Sequence, residues 1–172
     1  MPTRAMIKYS LILSLFLVSC VGYKLGGTKP AHLTQVKSIN VPLFANDTLS
    51  VRAESMATNS AVDALSRDGT YRIASAENAD AILEGRIETI NYHQVSSSRR
   101  DSLRSEELRM EISIAWVLRD ARDPARILEK GHSRGSSRFF AGGNLHVARS
   151  NALPDALRRA CESMTTRIAD GF

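Results

Sequence analysis

From Leu108 to Leu118 every second residue is large and apolar: Leu108, Met110, Ile112, Ile114, Trp116 and Leu118. A period of two is what a pleated strand imposes, because successive side chains point to opposite faces. Arg109, Glu111, Ser113 and Arg119 occupy the other face, with Ala115 and Val117 between them. One dry face and one wet face describe a sheet covered on one side only, which antiparallel sheets allow.

The flanking segments fit such a sheet. Leu83, Ile87 and Thr89 alternate with Glu84, Arg86 and Glu88, which predicts a half-buried strand beginning near Ala81. Ile127 to Arg138 predicts a last strand, weakened by Gly131 and Gly135. Asp120-Ala121-Arg122-Asp123-Pro124 marks the turn between these last two strands. The polar, basic run from Ser96 to Ser105 has the composition of a long hairpin tip. Val36 to Pro42 reads as a short first strand, and Tyr71-Arg72-Ile73 as a short extended segment.

Two helices complete the pattern. Asn46-Asp47-Thr48 and Ser50 supply starting residues for a helix to about Arg67, with Val51, Ala57, Ala61, Val62 and Leu65 as its apolar set and Gly69 as its stop. Gly142-Gly143-Asn144 opens the last helix, whose Leu153, Leu157, Ala160, Cys161, Met164 and Ile168 recur at three and four residues. Pro154 either starts that helix or sits inside one begun near Asn144. Each helix has one apolar stripe to bury. The predicted fold is therefore α+β: a two-layer sandwich with two helices on one face of a mostly antiparallel four-stranded sheet, a single domain over residues 36–172.

The N-terminus carries an address. Arg4 and Lys8 precede an apolar run from Leu11 to Val18. That run is too short to span a bilayer, which takes roughly 20 apolar residues, and suits an export signal. Leu17-Val18-Ser19-Cys20 matches the lipobox of bacterial lipoproteins. Residues 1–19 are thus expected to be cleaved and Cys20 to receive the lipid, with residues 20–35 as a tether rich in Gly22, Gly26, Gly27 and Pro30. Two or three acyl chains anchor far more firmly than one. Position 21 is Val, where lipoproteins retained at the inner membrane carry Asp, so the periplasmic face of the outer membrane is expected.

Composition bounds the chemistry. Of the 23 Lys and Arg, Arg4 and Lys8 lie in the leader, and all 18 Asp and Glu lie beyond it, so the net charge falls from +5 to +3 on maturation. This mild excess permits an anionic partner. Cys161 is left without a disulfide partner and lies on a helical stripe as a small apolar residue. Gly131-His132-Ser133-Arg134-Gly135 fits G-x-S-x-G, but a nucleophile elbow needs a helix next, and more strand-like sequence follows. The four histidines, His32, His93, His132 and His146, show no metal-ligand spacing. No cofactor, no metal, no catalytic residue and no nucleic-acid partner is expected, aromatics being only 6% of the chain.

With these elements in order, the sequence resembles the LPS-assembly lipoprotein family (LptE). The resemblance is carried by Cys20 through Gly27, Val36 through Thr48, Asp68-Gly69-Thr70-Tyr71-Arg72, Ala79 through Gly85, and Asn151 through Ala156. Val21 is an insertion relative to the Cys-Gly-Tyr common in the family. The resemblance implies a non-enzymatic lipoprotein. It would plug and help assemble a large outer-membrane β-barrel translocon (LptD-like) and assist lipopolysaccharide delivery to the outer leaflet.

The expected contact site follows from charge. Lipopolysaccharide carries phosphates and sugar acids, and arginine binds such groups in bidentate fashion. Arg99, Arg100 and Arg104 in the predicted hairpin tip are the candidate ligand-binding residues. The alternative reading is a structural or pilot lipoprotein of another outer-membrane or secretion machine.

Overall fold

The computed structural model describes residues 29–95, 106–141 and 143–171. In chain order the elements are β1 (Ser38–Asn40), β2 (Ala45–Asn46), α1 (Ala53–Asp68), β3 (Arg72–Ile73), β4 (Ala81–Gln94), β5 (Glu106–Asp120), β6 (Ile127–Ala141) and α2 (Leu145–Asp170). A single 3-10 turn, Ala31–Leu33, precedes them.

The α+β two-layer character is as expected, but the sheet is not. It has six strands and is mixed, where four mostly antiparallel strands were predicted. The order is β3-β1-β4-β5-β6, with β2 also pairing β4. The long strands β4, β5 and β6 are antiparallel, as their alternation requires. β1 lies parallel to both β3 and β4, and β2 lies parallel to β4. Parallel neighbours need a crossover, and α1 supplies the one between β1 and β3.

β5 forms as predicted. Met110, Ile112, Ile114, Trp116 and Leu118 are buried, and the residues between them are half-buried on the far face. β4 departs from strict alternation. Ile87 pairs Ile114 and Thr89 pairs Ser113, so Glu88 is an extra residue, a β-bulge. One inserted residue flips all that follow. Thr89, expected on the inner face, is exposed, and Ile90 packs against the core in its place.

The glycines of β6 do not weaken it with bulges. Its pairing with β5 runs unbroken from Glu106↔Ala141 to Leu118↔Glu129. A Cβ on Gly135 would run into the backbone of Ala156 and Ala160, and one on Gly131 would come within 2.7 Å of the Trp116 ring. Both glycines let α2 and the tryptophan lie close against the sheet.

α1 starts later than its apolar spacing suggested. Asn46 Oδ1 accepts from the Thr48 backbone N–H (3.0 Å) and hydroxyl (2.7 Å), while its Nδ2 donates to the Ser50 carbonyl (2.9 Å), so these residues build a loop. Arg52 then takes a left-handed backbone (φ 66°), and Val51, assigned to the stripe, projects into solvent. The buried stripe is Ala53, Ala57, Ala61, Ala64 and Leu65, small enough for close approach to α2. Gly69 caps α1 in the left-handed region (φ 76°), its N–H donating to Leu65 O at 3.1 Å.

α2 runs 26 residues with Pro154 inside it. Asn144 caps it, accepting from Val147 N at 3.1 Å. Cys161 is buried as expected, donating to Ala57 O at 3.5 Å, and burial pushes its thiol up to about 12.

Candidate functional site

Cys20 and the three arginines Arg99, Arg100 and Arg104 lie outside the described residues, as does most of the expected tether. The structure places the frame around them. Residues from Lys29 onward pack onto the domain: Leu33 is buried, and Pro30 lies against Gly171 at the C-terminal end of α2. Lys29 Nζ donates to Val36 O (2.9 Å) and sits 4.5 Å over the Tyr71 ring, while the Tyr71 hydroxyl donates to Ile168 O (3.1 Å). Burial first, then the nearby Glu129, Asp68 and Asp170, pushes the Tyr71 phenol up to about 12. His32 Nε2 approaches Glu129 Oε2 at 3.5 Å; burial raises the Glu129 carboxyl above its ordinary value, and His32 partly offsets that.

The β4–β5 hairpin leaves the described residues at the opposite end, where Val95 N still donates to Glu107 O at 2.9 Å. β6 ends and α2 begins at that same end. At about 1.5 Å per residue, the 26 residues of α2 put roughly 39 Å between this end and Gly171. Lys29 and the open end of the β4–β5 hairpin are therefore at opposite poles.

The outer face of the sheet carries a row of basic residues near the open end of the β4–β5 hairpin, flanked on β5 by Glu107 and Glu111. His93 stands opposite Arg109 in the β4–β5 ladder, and Arg109 stands opposite Arg138 in the β5–β6 ladder. Three basic residues thus form one row across three strands. Like charges directly opposite repel. Glu107 offsets part of this, 3.7 Å from Arg138. Further along, Arg119 holds Glu84 (2.9 Å) and His132 faces Glu88 (3.5 Å). Exposed pairs of this kind contribute only about 0–1 kcal/mol to stability. Sequence reading missed this row. Its signal, bases spaced on one face of adjacent strands, becomes legible only when the register is known.

The G-x-S-x-G serine is not set up as a nucleophile. Ser133 is buried beneath α2 and accepts from Trp116 Nε1 at 3.0 Å. Its neighbour His132 lies on the outer face. Among the described residues no three His, Cys, Asp or Glu side chains gather as a metal cluster, and no helix is long and apolar enough to cross a membrane.

Fold and surface together define a two-layer α+β domain whose distinguishing groups are surface charges at one pole. The chain belongs to the lipopolysaccharide-assembly family LptE, whose family model matches residues 36–170. The chain has no significant match among curated proteins. Among solved structures it is similar to protein XCC0632 from Xanthomonas campestris, at 13% identity, covering 81% of this chain and 87% of that one with a TM-score of 0.53. It is also similar to the PelC dodecamer from Paraburkholderia phytofirmans (20% identity, 80% and 92% covered, TM-score 0.46). Lipoprotein GNA1162 from Neisseria meningitidis is a further similar structure (17% identity, 67% and 94% covered, TM-score 0.42). At 13% identity the likeness to XCC0632 is one of fold.

Proposed function

We propose that this protein is an outer-membrane lipoprotein, anchored through Cys20 on the periplasmic face, that plugs and helps assemble a β-barrel lipopolysaccharide translocon of the LptD kind and assists lipopolysaccharide delivery to the outer leaflet. The family match over residues 36–170 carries the reading. The polarity of the domain supports it. The tether enters the described domain at Lys29, beside Pro30 and Gly171 and far from the open end of the β4–β5 hairpin. Arg99, Arg100 and Arg104, which follow β4 in the sequence, would act with the row His93, Arg109 and Arg138 as donors to phosphate and sugar-acid groups.

Co-purification from detergent-solubilised outer membrane tests the reading. One large β-barrel is expected in equal amount, and depletion of the protein should impair both that barrel's assembly and surface lipopolysaccharide. Normal barrel assembly and unchanged surface lipopolysaccharide after depletion would overturn it in favour of another envelope machine.

A further inference from the structure

At the hairpin pole the helical layer does not close over the sheet. The loop before α1 and the first turns of α2 stand apart above β4 and β5, leaving a groove of about 620 Å³. This is within the roughly 300–1,000 Å³ of small-molecule sites. Ile90, Met110 and Leu153 line it. On its rim Leu49 and Val51 stand in water, 101% and 85% exposed. They do so on a braced loop, because Asn46 ties down Thr48 and Ser50 and also donates to Glu54 Oε2 at 2.9 Å. Two branched apolar side chains held in water beside a groove floored by Ile90, Met110 and Leu153 mark a binding surface.

The polar part of the groove is of one sign. Arg149 lies 4.3 Å over the Tyr92 ring, and its buried Nε has no hydrogen-bond partner among the described residues. His146 is the other titratable group in the lining besides Tyr92, and no Asp or Glu lines the groove. A groove with an apolar floor and a guanidinium that stacks on Tyr92 but meets no carboxylate in the lining complements an anionic amphiphile better than a neutral one or a simple anion.

We propose that this groove takes an acyl chain of a phospholipid whose headgroup is net anionic, with Arg149 at the headgroup phosphate. The idea rests on the lipid-handling role above and extends it, assigning the apolar part of the cargo to the inner side of the sheet, away from the outward basic row.

The full chain, purified in detergent with benzoylphenylalanine in place of the exposed Val51, is irradiated with dihexanoyl phosphatidylglycerol, dihexanoyl phosphatidylcholine or glycerophosphate. The expected adduct is with phosphatidylglycerol, about tenfold above phosphatidylcholine, the scale of one hydrogen bond to a charged group. Arg149→Gln should erase that preference, and Leu49→Asp should lower the yield from both lipids. Equal yields from the two lipids, indifference to Arg149, full competition by glycerophosphate, or crosslinks only to polypeptide overturn the proposal. The readout needs no barrel. Loss of barrel co-purification would remove the translocon role, whereas loss of the adduct removes only the lipid groove.

Discussion

Trp116 reaches over Gly131 to give its indole N–H to the hydroxyl of Ser133, 3.0 Å away and sealed beneath α2. The serine that a motif search would nominate for catalysis is thereby a buried acceptor. Ser133→Ala leaves the indole donor unsatisfied, a loss of about 1–3 kcal/mol. Urea unfolding followed by Trp116 fluorescence should show a lower midpoint at unchanged slope. No loss of stability would mean the contact carries no weight.

The second glycine of the same motif has a different neighbour. At Gly135 a Cβ would meet backbone atoms of Ala156 and Ala160, which cannot turn aside. Gly135→Ala is expected to push α2 from the sheet and destabilise by about 3 kcal/mol. At Gly143, where nothing lies within 4 Å, the same change should stay within about 0.5 kcal/mol. Thermal unfolding of the pair checks the contrast, and equal effects would remove the packing explanation.

Asp80 ties the parallel edge to the antiparallel sheet. Its Oδ2 accepts from Lys37 N (3.0 Å), Ser38 N (3.0 Å) and Ser38 Oγ (2.9 Å). The Lys37 backbone bond is the largest influence; with the Ser38 bonds and Arg122 it outweighs burial and holds the carboxyl below its ordinary 3.8. The folded pKa is depressed, so this stabilisation is present above 3.8 and is lost as pH falls through the folded value. Asp80→Asn should cost about 1–2 kcal/mol at neutral pH. The gap to the parent should narrow in acid, below the folded pKa. Denaturant titrations at the two pH values decide it; a gap independent of pH would show that the charge is not what matters.

How much of this was legible beforehand depends on element length. β5, at 15 residues, repeats its alternation often enough to declare itself, and so does the 26-residue α2. β2 and β3, two residues each, cannot display a period, so the parallel edge and the mixed sheet went unread. The bulge at Glu88 carries no glycine to announce it, and Thr89 was therefore put on the wrong face. Val51 has helical spacing, yet the left-handed backbone at Arg52 detaches it from α1. The lipidation signal and the tip arginines were readable only as sequence motifs. The basic row and the groove depend on register and on helix placement, neither of which spacing along the chain records.

The row His93, Arg109 and Arg138 should matter for binding and not for stability. Arg109 faces Arg138 across the β5–β6 ladder and lies between Glu107 and Glu111 on its own strand, so Arg109→Ser loses repulsion and attraction together and should leave stability within about 0.5 kcal/mol. The same change removes a donor to phosphate, and lipopolysaccharide affinity should fall by about 1–2 kcal/mol, more at low salt than at high. Converting Arg99, Arg100 and Arg104 together to Glu should act in the same direction and more strongly, because each change replaces attraction with repulsion. Both variants are compared with the parent by lipopolysaccharide binding at two ionic strengths alongside thermal unfolding. A drop in affinity that tracks a drop in melting temperature would point to misfolding. Unaltered binding in the triple variant would take the ligand away from the tip, and unaltered binding in Arg109→Ser would take it away from the row.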